Sequence, residues 1–184
     1  EAACGCPGGI VPISAGGGGD AVRVTATASE EGEIAWSPDS RHLAYVSDRG
    51  GTSHLFLYDF GTGKETALTA GAGRDNTPSY SPDGKWIAFE RNSKELRLID
   101  PATREEKLLA TGAFDAPPFV DMRDFTWSPD SRFVAYLSAG TKAFQDVRIV
   151  PVAGGEGRAV SFLANANAGS LSWSPDGTFL TFQT

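Results

Sequence analysis

Three groups of residues could do chemistry. Asp39, Asp83, Asp130 and Asp176 each close the same Ser-Pro-Asp tripeptide, and recurring carboxylates suit calcium ligation or acid–base work. His42 and His54 are the two histidines, the side chains whose unperturbed titration falls nearest neutral pH. The third group is a mixed set in connecting segments. The segment 112–124 holds Phe114, Asp115, Phe119, Asp121, Arg123 and Asp124. Asp48, Arg49, Arg74, Asp75, Asn76, Asn165 and Asn167 stand in comparable places along the chain. Carboxylates, a few guanidiniums and exposed aromatics form a surface suited to a peptide or protein ligand.

Each group also has a plain structural explanation; for the 112–124 segment it is the packing of Phe114, Phe119 and the Pro117-Pro118 pair against a neighbouring blade. After Ser-Pro, an aspartate accepts local N–H groups and caps its own turn, so the four aspartates read as structural turn residues. The spacing of the acids matches no defined calcium loop. Ser170 lies in Ala-Gly-Ser-Leu-Ser and lacks the final glycine of a Gly-x-Ser-x-Gly nucleophile elbow. His42 falls near a hairpin turn and His54 opens a strand, so neither is assigned as a catalytic base. Cys4 and Cys6 have no histidine nearby, and two thiolates do not complete a metal site. No catalytic residue, metal or cofactor is expected.

The elements that position these residues follow from a repeat. Ile34-Ala-Trp-Ser-Pro-Asp-Ser-Arg-His-Leu-Ala-Tyr45 recurs as Pro78–Phe89, Phe125–Tyr136 and Leu171–Phe182, and the anchoring aromatics Trp36, Tyr80, Trp127 and Trp173 are 44, 47 and 46 residues apart. Serine, then proline presetting φ, then aspartate favours a type I turn, and short β-branched and aromatic runs flank it. A third run follows (His54–Asp59, Glu95–Asp100, Asp146–Val152), then a turn and a fourth (Glu65–Thr69, Lys107–Ala110, Arg158–Phe162). Four antiparallel strands per period of about 45 residues predict an all-β protein built of β-propeller blades.

Residues 1–9 read as a disordered or tag-like terminus, and residues 10–184 as one propeller unit. That unit divides into a half blade at 10–27, blades at 33–69, 78–111 and 124–162, and a half blade at 171–184. The N-terminal half supplies third and fourth strands, because Ile10-Val-Pro-Ile13 parallels Ile149-Val-Pro-Val152. The C-terminal half supplies a first and a second. Pairing the halves removes exposed strand edges. It gives a four-bladed ring within one chain, or an eight-bladed ring in a homodimer that exchanges half blades. A piece cut from a larger propeller is the third possibility.

Sixteen Lys and Arg against 23 Asp and Glu give a net charge of −7 over 184 residues. Such a surface repels phosphate backbones and anionic lipid, so neither nucleic acid nor membrane is an expected partner. No apolar run is long enough to span a bilayer, and no signal-peptide pattern opens the chain. The compartment stays open between cytoplasm and periplasm.

The Trp-Ser-Pro-Asp-Ser/Gly repeats, each followed by an apolar run ending in Ala-Tyr or Ala-Phe, resemble the propeller repeats of TolB and tricorn-type proteases. Tyr45-Val-Ser-Asp-Arg-Gly-Gly-Thr, His54-Leu-Phe-Leu-Tyr-Asp and Lys85-Trp-Ile-Ala-Phe-Glu-Arg look most like the N-terminal propellers of bacterial tricorn-like serine peptidases. That resemblance implies a propeller that guides or filters peptides for a separate serine-protease core, and the core's motifs do not occur in this sequence. The expected function is a non-catalytic interaction or scaffold module. A folded fragment without activity and an enzyme with its site in the channel are the alternatives.

Overall fold

The structure is a computed structural model, and it describes residues 9–13, 23–25, 29–112, 125–139, 145–163 and 168–184. Its regular elements are all strands. The first sheet runs β1 (Glu31–Trp36), β2 (His42–Ser47), β3 (His54–Asp59) and β4 (Lys64–Ala67). The second runs β5 (Asp75–Tyr80), β6 (Ile87–Arg91), β7 (Glu95–Ile99) and β8 (Glu106–Thr111). The third runs β9 (Phe125–Trp127), β10 (Phe133–Ala139), β11 (Gln145–Pro151) and β12 (Arg158–Ala159). A hairpin of β13 (Gly169–Trp173) and β14 (Leu180–Gln183) makes the fourth sheet. Spatial order follows chain order in every sheet, the meander of a propeller blade. The described chain forms two compact units, Glu1–Pro78 and Ser79–Thr184.

Each first hairpin is built by the Ser-Pro-Asp turn. In the first blade the Ser37 hydroxyl donates to Asp39 at 2.6 Å and accepts the His42 amide at 2.9 Å. Asp39 in turn accepts the Arg41 amide at 3.0 Å. The same three bonds recur around Ser81–Asp83, Ser128–Asp130 and Ser174–Asp176. The residue after each aspartate is left-handed: Ser40 (φ 59°), Gly84 (72°), Ser131 (61°) and Gly177 (72°). That conformation turns the chain into the second strand and explains the alternation of serine and glycine at this position.

In the unit from Ser79 onward, neighbouring sheets bury a shared apolar layer. Ala88, Leu96 and Leu98 of the second blade pack with Phe125, Trp127, Val134, Tyr136, Val150 and Val152. Three polar contacts stitch the same seam. The Trp127 indole donates to the Ser79 carbonyl at 3.1 Å, and the Asp83 amide to the Ser131 hydroxyl at 3.0 Å. Lys107 Nζ lies 4.1 Å from the Trp86 ring centre and donates to the Val152 carbonyl at 2.8 Å. The β13–β14 hairpin covers a smaller cluster around Leu137, Val147 and Ala168.

Candidate functional site

The first strands carry a recurring irregularity. Pairing of β1 with β2 shifts between Gly32 and Ala35, and that of β13 with β14 between Gly169 and Ser172. Glu33, Thr77 and Ser170 occupy one repeat phase, three residues before the anchoring aromatic, and all three have positive φ (46°, 55° and 52°). A bulge of this kind re-aims side chains and frees an amide from the ladder. The Thr77 amide donates to the carboxylate of Glu33.

Arg49, just after β2, is the hub of the first blade. Its guanidinium donates to Glu31 at 3.1 Å, to the Tyr45 hydroxyl at 2.9 Å, to Ser47 at 3.1 Å and to Glu65. The guanidinium carbon stands 4.0 Å from the centre of the Phe56 ring, close enough for a cation–π contact. The Glu31 side chain is fully buried, while those of Arg49 and Glu65 keep 23% and 31% of their exposure. The second Glu31 oxygen accepts the Thr25 hydroxyl, and Thr25 Oγ1 accepts the Ile10 amide at 2.8 Å. The cluster therefore ties the N-terminal segment to β1, β2 and β4. Burial, and then the hydrogen bond to Glu65, raise the Tyr45 pKa well above the usual phenol value, so Tyr45 remains a donor. The second blade repeats the theme: Arg91 lies over Phe89 at 5.3 Å and pairs with Glu106 at 2.9 Å. Recurrence in two blades marks these ion pairs as framework.

His54 and Asp75 form a second polar contact in the first unit. His54 Nδ1 is 3.4 Å from Asp75 Oδ2, and the aspartate is completely buried. The Asp75 amide also donates to the Ser53 carbonyl at 2.9 Å.

The sequence-predicted site residues are distributed unevenly. Asp48 accepts the Glu30 amide at 3.0 Å, so it pins the entry to β1. Arg49 turns into the blade, and Asp75 lies beneath the surface on His54. Arg74 is exposed and Asn76 half-buried. Phe114, Asp115, Phe119, Asp121, Arg123, Asp124, Asn165 and Asn167 lie outside the described residues. Asp39, Asp83, Asp130 and Asp176 are held by the turn bonds. Their pKa values fall below the ordinary carboxylate range, to about 2 at Asp130 and Asp176, chiefly through the adjacent serine hydroxyl. Sequence reasoning missed Glu31, Glu33 and Glu65. The available signal was phase: Glu31 and Asp75 both stand five residues before the anchoring aromatic. Among the described residues no group of three or more potential metal ligands converges.

Comparison with known proteins places this geometry. A model of the TolB beta propeller domain matches residues 11–137. An uncharacterised protein of Agrobacterium fabrum is 29% identical over 155 residues, which is 77% of this chain and 50% of that protein. Dipeptidyl-peptidase 5 of Porphyromonas gingivalis is 31% identical over 123 residues, 58% of this chain and 17% of the peptidase. The Tol-Pal system protein TolB of Francisella tularensis is 43% identical over 54 residues, 29% of this chain and 12% of that protein. The chain thus spans half or less of these relatives' lengths. Among solved structures, TolB from Acinetobacter baumannii superposes with a TM-score of 0.66 at 24% identity, over 89% of this chain and 40% of that one. The tricorn protease superposes at 0.70 and 17%, over 88% of this chain and 16% of its own. Repeat, turn, blade order and family match agree: the chain belongs to the TolB β-propeller domain family.

Proposed function

We propose that the chain is a non-catalytic β-propeller module that binds a peptide or protein partner, comparable to the substrate-guiding propeller of a tricorn-like peptidase. The observation that carries this reading is how the described charges are used. Arg49 is held by Glu31 and Glu65, Asp75 by His54, and the four turn aspartates by their own serines. These groups act as scaffold. Recognition then belongs to the segments in which the blades differ: Arg74 and Asn76, the 112–124 segment, and Asn165 with Asn167, while Asp48 joins the scaffold through the Glu30 amide. Carboxylates outnumber cations in the 112–124 segment, which favours a basic peptide. The likeness to part of dipeptidyl-peptidase 5 supports a propeller that works beside a catalytic domain.

The test is titration of a peptide library against the purified chain, followed by the triple change D115N, D121N and D124N. Binding of basic peptides that drops at least tenfold in the variant supports the proposal. Absence of binding across the library, or peptide hydrolysis by the purified chain that disappears in the variant, overturns it.

A further inference from the structure

Two blades place a carboxylate where the third has none. Strand pairing fixes the equivalence: Phe56 faces Tyr45 and Ala67, Arg97 faces Phe89 and Leu108, and Arg148 faces Tyr136 and Ala159. Two residues before Ala67, Leu108 and Ala159 stand Glu65, Glu106 and Gly157. In the first blade Glu65 pairs with Arg49, which lies over the Phe56 ring, and accepts the Tyr45 hydroxyl. In the second, Glu106 pairs with Arg91 at 2.9 Å and with Arg97 at 3.3 Å. In the third, the Arg148 guanidinium donates to the Gly157 carbonyl and makes no ion pair among the described residues. Asp146, on the same strand, is turned to the Leu163 amide at 2.9 Å. Gly157 does not have a left-handed φ, so the position uses its lack of a side chain. A Cβ there would stand 2.8 Å from the Tyr136 hydroxyl oxygen.

The half-buried Arg148 lines a groove of about 430 Å³ at the seam with the second blade. Tyr136, Ser138 and Gly157 line it from the third blade, and residues Leu108 to Thr111 of β8 from the second. β8 is the edge of its sheet, and its pairing with β7 shifts at Leu109. A bulge at an edge re-aims side chains. Here Leu109 and Ala110 pack on the seam while Leu108 stays 51% exposed. The groove thus combines a cation that has no carboxylate, an aliphatic wall and four consecutive residues of an edge strand.

We propose that this groove seats the C-terminal carboxylate of a peptide whose last residue is aliphatic. The ligand carboxylate does for Arg148 what Glu65 and Glu106 do for the arginines of the other two blades, and it takes the charge-assisted hydrogen bonds of the guanidinium fork. The terminal aliphatic side chain lies on Leu108 and Leu109. The preceding residues run along the edge of β8, whose backbone groups suit an added strand. This seat is separate from the acidic segment proposed for basic peptides. It is probed with a ligand that has no basic residue, so either reading can fail alone.

The test is calorimetric titration of the full chain with acetyl-Ala-Ala-Leu carrying a free carboxylate, with the same peptide amidated, and with hexanoate. The free acid is expected to bind and the amide to bind at least about tenfold more weakly. R148Q should lose a similar factor. Y136F/G157E installs the Phe89 and Glu106 arrangement of the second blade and keeps Arg148, so it should lose binding through an internal ion pair, whereas Y136F/G157A should bind the acid more tightly than Y136F/G157E. Equal binding of acid and amide, parent-like binding by Y136F/G157E, or no binding of the acid at millimolar concentration overturns the proposal. Hexanoate binding as tightly as the peptide overturns the assignment of a peptide to the seat.

Discussion

Replacing Arg49 by methionine probes the charge cluster of the first blade most directly. Methionine keeps the stem and its contact with Phe56 but leaves Glu31 and Glu65 without their shared cation. Removing one partner of a buried ion pair costs about 3–5 kcal/mol. Glu31 is fully buried, but Glu65 retains 31% exposure and recovers part of its hydration. A loss of about 3 kcal/mol follows, a large share of the roughly 5–15 kcal/mol typical of a domain. E31Q alone retains an acceptor for Thr25 and should cost about 1 kcal/mol. In the R49M/E31Q pair the uncompensated buried charge is gone, so the double variant should be more stable than the sum of single losses by roughly 1–3 kcal/mol. Urea unfolding at unchanged m-value measures all four corners of the cycle. An R49M cost below about 1 kcal/mol, or additive losses, would refute the claim that Glu31 depends on Arg49.

Three further outcomes are expected. Asp130 and Asp176 have folded-state pKa values near 2 against an ordinary 3.8, so their stabilising contribution is complete above about pH 3.8 and is lost as pH falls toward 2; the D130N/D176N variant should flatten the acid limb of a pH–stability profile. Thr77 is β-branched and left-handed at φ 55°, so T77G should raise stability by about 1 kcal/mol in thermal unfolding, strain relief exceeding the added chain entropy. W127F removes the bond to the Ser79 carbonyl and should cost about 1–2 kcal/mol, whereas W36F, at a half-exposed position, should cost less than about 0.5 kcal/mol by the same denaturation assay.

The parts of the fold that were legible in the sequence are those determined within one turn. Ser-Pro-Asp closes its own hydrogen bonds over six residues, so each first hairpin could be read from the string alone. The third and fourth strands followed from length and β-branched content, although β12 shrank to Arg158–Ala159. The site was less legible because its bonds span strands. Arg49 reads as a surface guanidinium until the register of β1 with β2, and of β3 with β4, brings Glu31 and Glu65 to it. Asp75 reads as a rim carboxylate until the fold buries it completely against the half-buried His54. Positive φ at Glu33 and Thr77 has no local cue, since neither residue type favours that conformation.

The seam bonds have a mechanical consequence. Trp127, Ser131 and Lys107 fasten the second and third blades by three separate links, whereas the β13–β14 hairpin carries Gly177 where Ser131 supplies a hydroxyl, and the Trp173 indole nitrogen has no hydrogen-bond partner among the described residues. Where stability is built from nearest-neighbour interfaces, the weakest interface loosens first. Within the unit from Ser79 onward, β13 and β14 should exchange their amide hydrogens faster in mild denaturant than the seam of the second and third blades.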